Sequence, residues 1–173
     1  MSVVAGKLDT YRRKSDPKRT PEPVPATDPV PRATNHTVAR GDGNTFVIQE
    51  HHARALHWDF RLERDGVLVS WAVPKGLPLD PRTNHLAVQT EDHPIDYGSF
   101  EGEIPAGEYG GGKVILWGRG TYETEKWTER EVMVIPHGSR CRGATCSSVR
   151  RTRTGWCTGW IRRRGRTGNR CRS

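Results

Sequence analysis

The sequence predicts a mainly β protein, a compact antiparallel β-barrel with a short N-terminal helix and arm. Three observations point to this fold class. From Thr45 onward, apolar and polar residues alternate with the period of two that is typical of strands with one buried face. Turns rich in glycine and proline separate these short segments, and no long amphipathic helix follows residue 14. Closing such a sheet into a barrel leaves no edge strand unpaired.

The chain of 173 residues divides into three predicted parts. Residues 1–45 form an N-terminal helix and a proline-rich arm, residues 46–140 form the barrel core, and residues 141–173 form a tail rich in arginine and cysteine. A chain of this length suits one domain with a substantial core rather than two.

The predicted elements follow one another in a simple order. Residues 5–14 form a short helix that places Leu8 and Tyr11 on one side, and the arm after it shows no apolar periodicity. Asp65-Gly66 is typical of a two-residue hairpin turn, so the segments on either side of it are expected to pair. The predicted strand segments are 45–49, 56–62, 67–73, 86–89, 113–117 and 131–135.

The excess of basic charge lies in the tail. Residues 141–173 contain ten arginines, no lysine and no acidic residue, whereas residues 1–140 carry 18 basic and 20 acidic side chains. The net charge of +8 is therefore no evidence that the core binds nucleic acid.

The tail has two interpretations. Its four cysteines are spaced 5, 11 and 14 residues apart with no histidine near them, which argues against a zinc site. One interpretation is a disordered basic segment that binds nucleic acid. The other, which we favour, is a translated frameshift: with suitable synonymous codons, reading Arg142–Arg150 two bases later gives the strand-like Gly-Arg-Tyr-Val-Leu-Phe-Arg-Thr. In that case the barrel lacks its closing strand and the chain is only marginally stable.

No segment approaches the roughly 20 consecutive apolar residues that a membrane-spanning helix needs. The N-terminus also lacks the apolar stretch of a signal peptide. We therefore expect a monomer in the cytoplasm, with no membrane partner.

Two histidines and an aspartate within nine residues form a candidate metal site. His57 and Asp59 project from the same face of a predicted strand, about 7 Å apart at Cα, and His51 would come from the bend before that strand. Two nitrogens and one oxygen leave coordination positions open for water and substrate, as in catalytic sites. This ligand set fits Mn²⁺, Fe²⁺ or Zn²⁺, whereas a solvated polar strand face with incidental histidines would give the same pattern.

Cationic and aromatic residues accompany the candidate metal site. Arg61 continues the face that carries Asp59, and its guanidinium can bind two phosphate oxygens. Lys75 follows the returning strand, and His93 and Tyr97 lie in a polar turn further along the chain. A metal surrounded by such groups suits an anionic substrate that gains charge in the transition state.

Five blocks of residues carry a family resemblance. The blocks are FVIQEH (46–51), LHWDFRLE (56–63), SWAVPKG (70–76), DHPIDY (92–97) and FEGEIPAGEYG (100–110). In order and spacing they resemble the 3′-phosphoesterase domain of bacterial DNA ligase D and its stand-alone relatives, across roughly residues 8–140. The resemblance implies a compact β-barrel and a Mn²⁺-dependent hydrolase of phosphoester bonds, acting in DNA end repair by non-homologous end joining.

The resemblance also implies a reaction and its partners. That family removes a 3′-terminal ribonucleoside as a phosphodiesterase and then removes the remaining 3′-phosphate as a monoesterase, which leaves a 3′-OH. The expected substrates are DNA or RNA-tipped DNA 3′ ends. A DNA ligase or polymerase and the Ku protein of end joining are candidate partners.

Matched position by position, the resemblance implies roles for single residues. The implied metal ligands are His51, His57 and Asp59. The implied catalytic residues are Arg61, His93, Lys75, Tyr97 and, for the diesterase step, Asp16 and Glu22. The implied substrate-binding residues are Arg61, His93, Gln49 and Glu91.

Three positions depart from the family pattern. Ser15 replaces an arginine before Asp16, which leaves ribonucleoside handling by the arm open. Ala55 replaces a frequent histidine, and His85 replaces a frequent arginine.

In the expected mechanism, the metal and two side chains, Arg61 and His93, act on the phosphate together. The metal binds one phosphate oxygen while Arg61 clamps another. His93 stabilises the transition state or protonates a leaving oxygen, a role that needs a pKa near neutrality.

Two other functions remain open from the residues alone. His57, Asp59 and His93 resemble the two-histidine, one-carboxylate triad of Fe(II) oxygenases, although Arg61 and His51 fit a phosphate better. The second alternative is a non-catalytic nucleic-acid-binding module led by the arginine tail, whose binding would be strongly salt-dependent.

Overall fold

The computed structural model describes residues 6–26, 43–78, 83–138, 145–152 and 155–162, the last two ranges by their backbone pairing. One helix, α1, spans Asp9–Lys14. The strands are β1 (Thr45–His52), β2 (Leu56–Arg64), β3 (Val67–Val73), β4 (Asn84–Gln89), β5 (His93–Pro94), β6 (Gly102–Ile104), β7 (Gly112–Trp127), β8 (Glu131–Gly138), β9 (Thr145–Thr152) and β10 (Gly155–Arg162). A 3₁₀ helix, Ile95–Ser99, follows β5.

Antiparallel pairing joins the strands in the order β1-β2-β3-β4-β10-β9-β8-β7-β6. Strand β1 pairs with β7 as well as with β2, so the pairings return to their starting strand and the sheet curls into a barrel. Strand β5 pairs with β3 outside this path. The predicted mainly β, antiparallel barrel with one short helix is confirmed.

The apolar residues of the alternating strands form the main core. Phe46 and Ile48 of β1 pack with Phe60 and Leu62 of β2 and with Trp71 of β3, and all five side chains are buried. A buried aromatic or large aliphatic side chain contributes about 1.5–3 kcal/mol relative to an exposed one. This cluster therefore holds β1 and β2, the two strands that carry the candidate metal ligands, in fixed positions.

The turn between β2 and β3 fixes their register. Asp65 and Gly66 have φ of 50° and 81°, the left-handed pair that a type I′ turn requires. Arg64 pairs with Val67 beside the turn, and pairing continues along both strands. The predicted hairpin is confirmed.

The outer face of β2 is covered rather than solvated. Asp59 and Arg61 are only 5% and 2% exposed. Tyr11 of α1 packs with Val47 and Leu68 on this outer side of the sheet. Because Asp59 and Arg61 are buried, the interpretation of that face as a solvated surface is wrong.

Residues 145–152 and 155–162, in the predicted tail, form strands. Strand β9 pairs with β8, and β10 pairs with both β9 and β4, so the two strands complete the barrel between β8 and β4. The sequence pattern had predicted no strand there, since it lacks large apolar residues at period two. Backbone groups at the edges of β8 and β4 can pair with any chain that supplies N–H and C=O groups, whatever its side chains.

Residues 27–42 of the predicted arm and residues 163–173 of the tail lie outside the described residues. None of the described helices has the length and apolar character needed to cross a membrane.

Candidate active site

Three side chains on β1 and β2 converge on one point. Antiparallel pairing sets His51 opposite His57, and Gln49 opposite Asp59. His51 Nδ1 lies 3.7 Å from Asp59 Oδ2, and His57 Nε2 lies 3.8 Å from Asp59 Oδ1. One ligand atom from each residue lies within 4.8 Å of the others, which is close enough to hold one metal ion. His51 reaches this group from β1, not from a bend before β2.

Backbone carbonyls orient both histidine rings toward the carboxylate. His51 Nε2 lies 2.8 Å from the carbonyl oxygen of Gly110, and His57 Nδ1 lies 3.0 Å from that of Ala55. A ring nitrogen that donates to a carbonyl leaves the other nitrogen unprotonated and free to bind a metal. The free nitrogens are then the two that face Asp59, so the donor set of two imidazoles and one carboxylate fits a divalent transition metal.

Asp59 is ionised in this setting. Burial alone would raise its pKa, but the guanidinium of Arg61 and the two neighbouring histidines outweigh burial and lower the pKa to about 2. A carboxylate ligand must be deprotonated to bind a metal, so Asp59 is ready to do so at neutral pH.

Arg61 is held on three sides. Its Nε donates to Gln49 Oε1 at 2.8 Å, and its two terminal nitrogens donate to Ser70 Oγ and Asp59 Oδ2 at 2.9 Å each. The guanidinium also lies over the ring of Tyr97, 4.8 Å from its centroid. These contacts fix a buried positive charge beside the metal ligands.

Gln49 is a buried hydrogen-bond partner of Arg61. Its side chain is fully buried, and its Nε2 donates to the carbonyl oxygens of Tyr97 and Phe100 at 3.0 and 2.9 Å. These bonds connect β1 to the 3₁₀ helix that carries Tyr97, and substrate binding by Gln49 stays a prediction.

His93 is held between two aromatic rings. Its ring centroid lies 4.9 Å from that of Tyr11 and 4.8 Å from that of Tyr97. Its Nδ1 lies 2.8 Å from the carbonyl oxygen of Glu91, which leaves Nε2 unprotonated. Burial and the charge of Arg61 hold the pKa of His93 well below its ordinary value, which favours the neutral ring.

Glu22 of the arm is a buried carboxyl at the same place. It is 6% exposed, and its Oε1 atom has no hydrogen-bond partner among the described residues. Burial raises the pKa of Glu22, despite the opposing effects of the Ser15 hydroxyl and of Arg61. An acceptor of this kind is available to a hydroxyl group of a bound substrate.

Replacing Glu22 with glutamine is expected to raise the Tm at pH 7. Because burial raises the pKa of Glu22, its ionised form is less stable in the folded chain than in the unfolded one. The gain should vanish as the pH falls below about 4.3, where the carboxyl is protonated in both states. Thermal unfolding between pH 4 and 7 measures this difference.

The matched control for that experiment is the exposed Glu103, whose replacement with glutamine should leave Tm nearly unchanged at every pH. A Glu22→Gln variant with a lower Tm at pH 7 would show that the carboxylate stabilises the fold.

These residues surround one cleft of about 200 Å³. Helix α1, the arm, β1, β2 and the loops around residues 90 and 110 all contribute to it. Its lining comprises Tyr11, Ser15, Glu22, His51, Ala53, His57, Asp59, Arg61, Ala72, Thr90, Glu91, His93, Tyr97, Tyr109 and Gly110.

Comparison with known proteins identifies this arrangement. A family model described as the DNA Ligase D 3′-phosphoesterase domain matches residues 49–146, which include all three candidate metal ligands. The chain belongs to this family. The family resemblance predicted from the five sequence blocks is therefore confirmed.

Relatives of the DNA ligase D phosphoesterase family share much of the sequence. The multifunctional non-homologous end joining DNA repair protein LigD of Mycobacterium tuberculosis is 59% identical over 144 residues, covering 81% of this chain and 18% of the relative. LigD of Mycolicibacterium smegmatis is 50% identical over 151 residues (81% of this chain, 19% of the relative), and that of Pseudomonas aeruginosa is 51% identical over 115 residues (66% and 13%). The chain therefore spans about a fifth or less of the length of these relatives.

Most residues implied by the family resemblance meet in the cleft, and three do not line it. Lys75 and Asp16 are exposed, and Gln49 is buried behind Arg61. Asp16 Oδ1 accepts a hydrogen bond from the backbone of Lys18, so its carboxylate shapes the turn after α1. Catalytic roles for Lys75 and Asp16 stay predictions.

The structure places two further residues in the site, Tyr11 and Tyr109, to which the sequence analysis assigns no role there. Tyr11 had been predicted only to pack, and it stands against His93. Tyr109 lies within the fifth sequence block, yet nothing in that pattern tells which of its residues faces the cleft.

The particular triad of His57, Asp59 and His93 that the oxygenase alternative assumes does not form among the described residues. The described histidine, cysteine and acidic side chains that could share one metal ion are His51, His57 and Asp59. His93 is not among them, so its role is separate from metal binding in this arrangement.

Proposed function

We propose that this chain is a metal-dependent phosphoesterase that processes DNA 3′ ends in non-homologous end joining. It acts first as a 3′-ribonucleoside phosphodiesterase and then as a 3′-phosphomonoesterase. The observation that carries the proposal is the meeting of three metal-ligand side chains with buried Arg61 and His93 in one cleft. The names of the relatives, which refer to end joining and DNA repair, support the same setting.

The proposed metal ligands are His51, His57 and Asp59, with Mn²⁺ the proposed ion. A divalent metal bound there supplies positive charge to a phosphate oxygen. Other divalent transition metals fit the same donors.

The chain's own residues bind and orient the phosphate. Each guanidinium nitrogen of Arg61 makes one hydrogen bond within the protein, which fixes its positive charge and leaves one N–H on each terminal nitrogen to bind a phosphate oxygen. Its rigid position means that little reorganisation accompanies the reaction.

His93 is proposed to move a proton. In its neutral form Nε2 can accept a proton from water or from a ribose hydroxyl and then return it to the leaving oxygen. The Glu91 carbonyl that holds Nδ1 keeps the ring in the tautomer that this role needs.

Replacing Glu22 with alanine is expected to impair ribonucleoside removal more than 3′-phosphate removal. The unpartnered Oε1 of Glu22 can accept a hydrogen bond from a ribose hydroxyl, which the monoester step does not need. Loss of one such bond to a charged group costs about 1.5–3 kcal/mol, or roughly ten- to hundredfold in kcat/KM. Equal losses on both substrates would show that the arm serves folding or general binding instead.

The proposal is tested with a 5′-labelled primer–template that ends in one ribonucleotide. In the presence of Mn²⁺ we expect a product shorter by one nucleoside and bearing a 3′-phosphate, followed by conversion of that end to a 3′-OH. A product that requires 2-oxoglutarate and O₂ would favour the oxygenase alternative, and binding without any product would favour the non-catalytic one.

The chain is proposed to be a monomer. Its proposed partners are DNA or RNA-tipped DNA 3′ ends, a DNA ligase or polymerase, and Ku.

A further inference from the structure

Three side chains form a hydrogen-bonded group on the rim of the cleft. Lys14 Nζ, from the end of α1, donates to Glu91 Oε2 at 3.0 Å and to the Tyr109 hydroxyl at 3.1 Å. The Tyr109 hydroxyl in turn lies 3.3 Å from Glu91 Oε2. The Lys14 ammonium also lies 4.4 Å from the centroid of the Tyr109 ring.

This group is connected to both His93 and the proposed metal ligand His51. Glu91 holds His93 through its carbonyl oxygen, and Gly110, the residue after Tyr109, holds His51 through its own. Tyr109 is thus one residue away from the carbonyl that orients a proposed metal ligand.

Tyr109 differs from the other aromatic residues of the cleft in its exposure. Tyr11 and Tyr97 are buried, whereas Tyr109 is 45% exposed. Its hydroxyl is anchored by Lys14 and Glu91, and the ion pair between Arg19 and Glu108, at 2.5 Å, ties its loop to the arm. An exposed aromatic ring that is held in one place at the mouth of a cleft is suited to stack a planar group.

We propose that the Tyr109 ring is a stacking surface for the nucleobase of the nucleotide whose 3′-phosphate enters the cleft. This inference rests on the proposed function and specifies how a nucleic acid end is held beside the reacting phosphate. Stacking on an aromatic ring accepts every base, because every base has a π face. The site therefore recognises a 3′-terminal nucleotide without selecting its sequence.

The test compares two oligonucleotides with a 3′-phosphate, one ending in thymidine and one ending in an abasic deoxyribose. The measured quantity is the ratio of KM for the abasic end to KM for the thymidine end, with Mn²⁺ present. The same ratio of Kd values is measured by fluorescence anisotropy with a chelator in place of Mn²⁺. For the unaltered chain we expect a ratio of about tenfold or more.

Three variants distinguish stacking on the Tyr109 ring from hydrogen bonding by the Tyr109 hydroxyl. Tyr109→Ala should reduce the ratio to near one, whereas Tyr109→Phe keeps the ring and should keep the ratio. The control Leu86→Ala alters a side chain of similar exposure on β4, away from the cleft, and should keep it as well. Equal Tm values would verify that all three variants fold.

Several results would overturn the inference. They are a ratio near one in the unaltered chain, a ratio that survives Tyr109→Ala, or a ratio lost equally in Tyr109→Phe. Turnover with a ratio near one would reject the stacking site and leave the proposed function standing. A Tyr109-dependent Kd ratio without Mn²⁺-dependent turnover would support the stacking site and reject the proposed function.

Discussion

Replacing His57 with alanine is expected to abolish turnover of both diester and monoester 3′ ends. His57 Nε2 faces Asp59, and its removal takes one of three donors from the proposed metal site. Loss of a group that merely orients a ligand costs about 10–100-fold in metal affinity or activity, so loss of the ligand itself should cost more than about 100-fold. Calorimetric titration with Mn²⁺ and steady-state rates on both substrates measure the two effects.

The matched control for His57→Ala is His52→Ala. This variant removes the imidazole next to His51 on β1, which is not one of the proposed metal ligands. His52 is exposed and paired with Glu50, so this variant should retain metal affinity and turnover. Near-normal rates of the His57→Ala variant at limiting Mn²⁺ would mean that the metal assignment is wrong.

Replacing Arg61 with methionine is expected to damage both stability and activity. The change leaves Asp59 and Gln49 buried without their cationic partner, and breaking a buried pair in this way costs about 3–5 kcal/mol of unfolding free energy. Loss of the fixed charge should also lower kcat by roughly 10²–10³-fold. Urea unfolding and single-turnover rates check these expectations.

Arg64→Met provides the comparison for Arg61→Met. Arg64 lies on the same strand, and its side chain is 38% exposed, so its ion pair with Asp65 is screened and contributes little. If the Arg61 variant lost no more stability than the Arg64 variant, the buried network would not be holding the site together.

The sequence alone predicted much of the fold, because its signals there are local. Alternation in β2 separated Phe60 and Leu62 from Asp59 and Arg61, and the Asp65-Gly66 turn predicted the hairpin. The candidate metal ligands could be predicted for the same reason, since two of them lie two residues apart on one strand.

Contacts between distant segments could not be predicted from such patterns. The position of His51 depends on the register of β1 against β2. Tyr11 of α1 lines the same cleft as Asp59, although it lies more than forty residues earlier in the chain. The low pKa of His93 likewise arises from burial by Tyr11 and Tyr97 and from the charge of Arg61.

Strands β9 and β10 lie where the side-chain pattern predicted none. Their pairing with β8 and β4 gives hydrogen-bond partners to the backbone N–H and C=O groups at the edges of those two strands. The periodicity of side chains carries no information about such backbone pairing. The family model matches as far as residue 146, close to the predicted boundary between core and tail. The frameshift interpretation of residues 141–173 stays a prediction.

A metal held by His51, His57 and Asp59 is proposed to enable hydrolysis of 3′-phosphate ends. The most direct test measures inorganic phosphate release from an oligonucleotide with a 3′-phosphate while Mn²⁺ is titrated into metal-stripped protein. The predicted result is release that rises from zero, saturates with Mn²⁺ and leaves a 3′-OH. Release that does not depend on added metal, or none at any Mn²⁺ concentration from the folded protein, would contradict the claim.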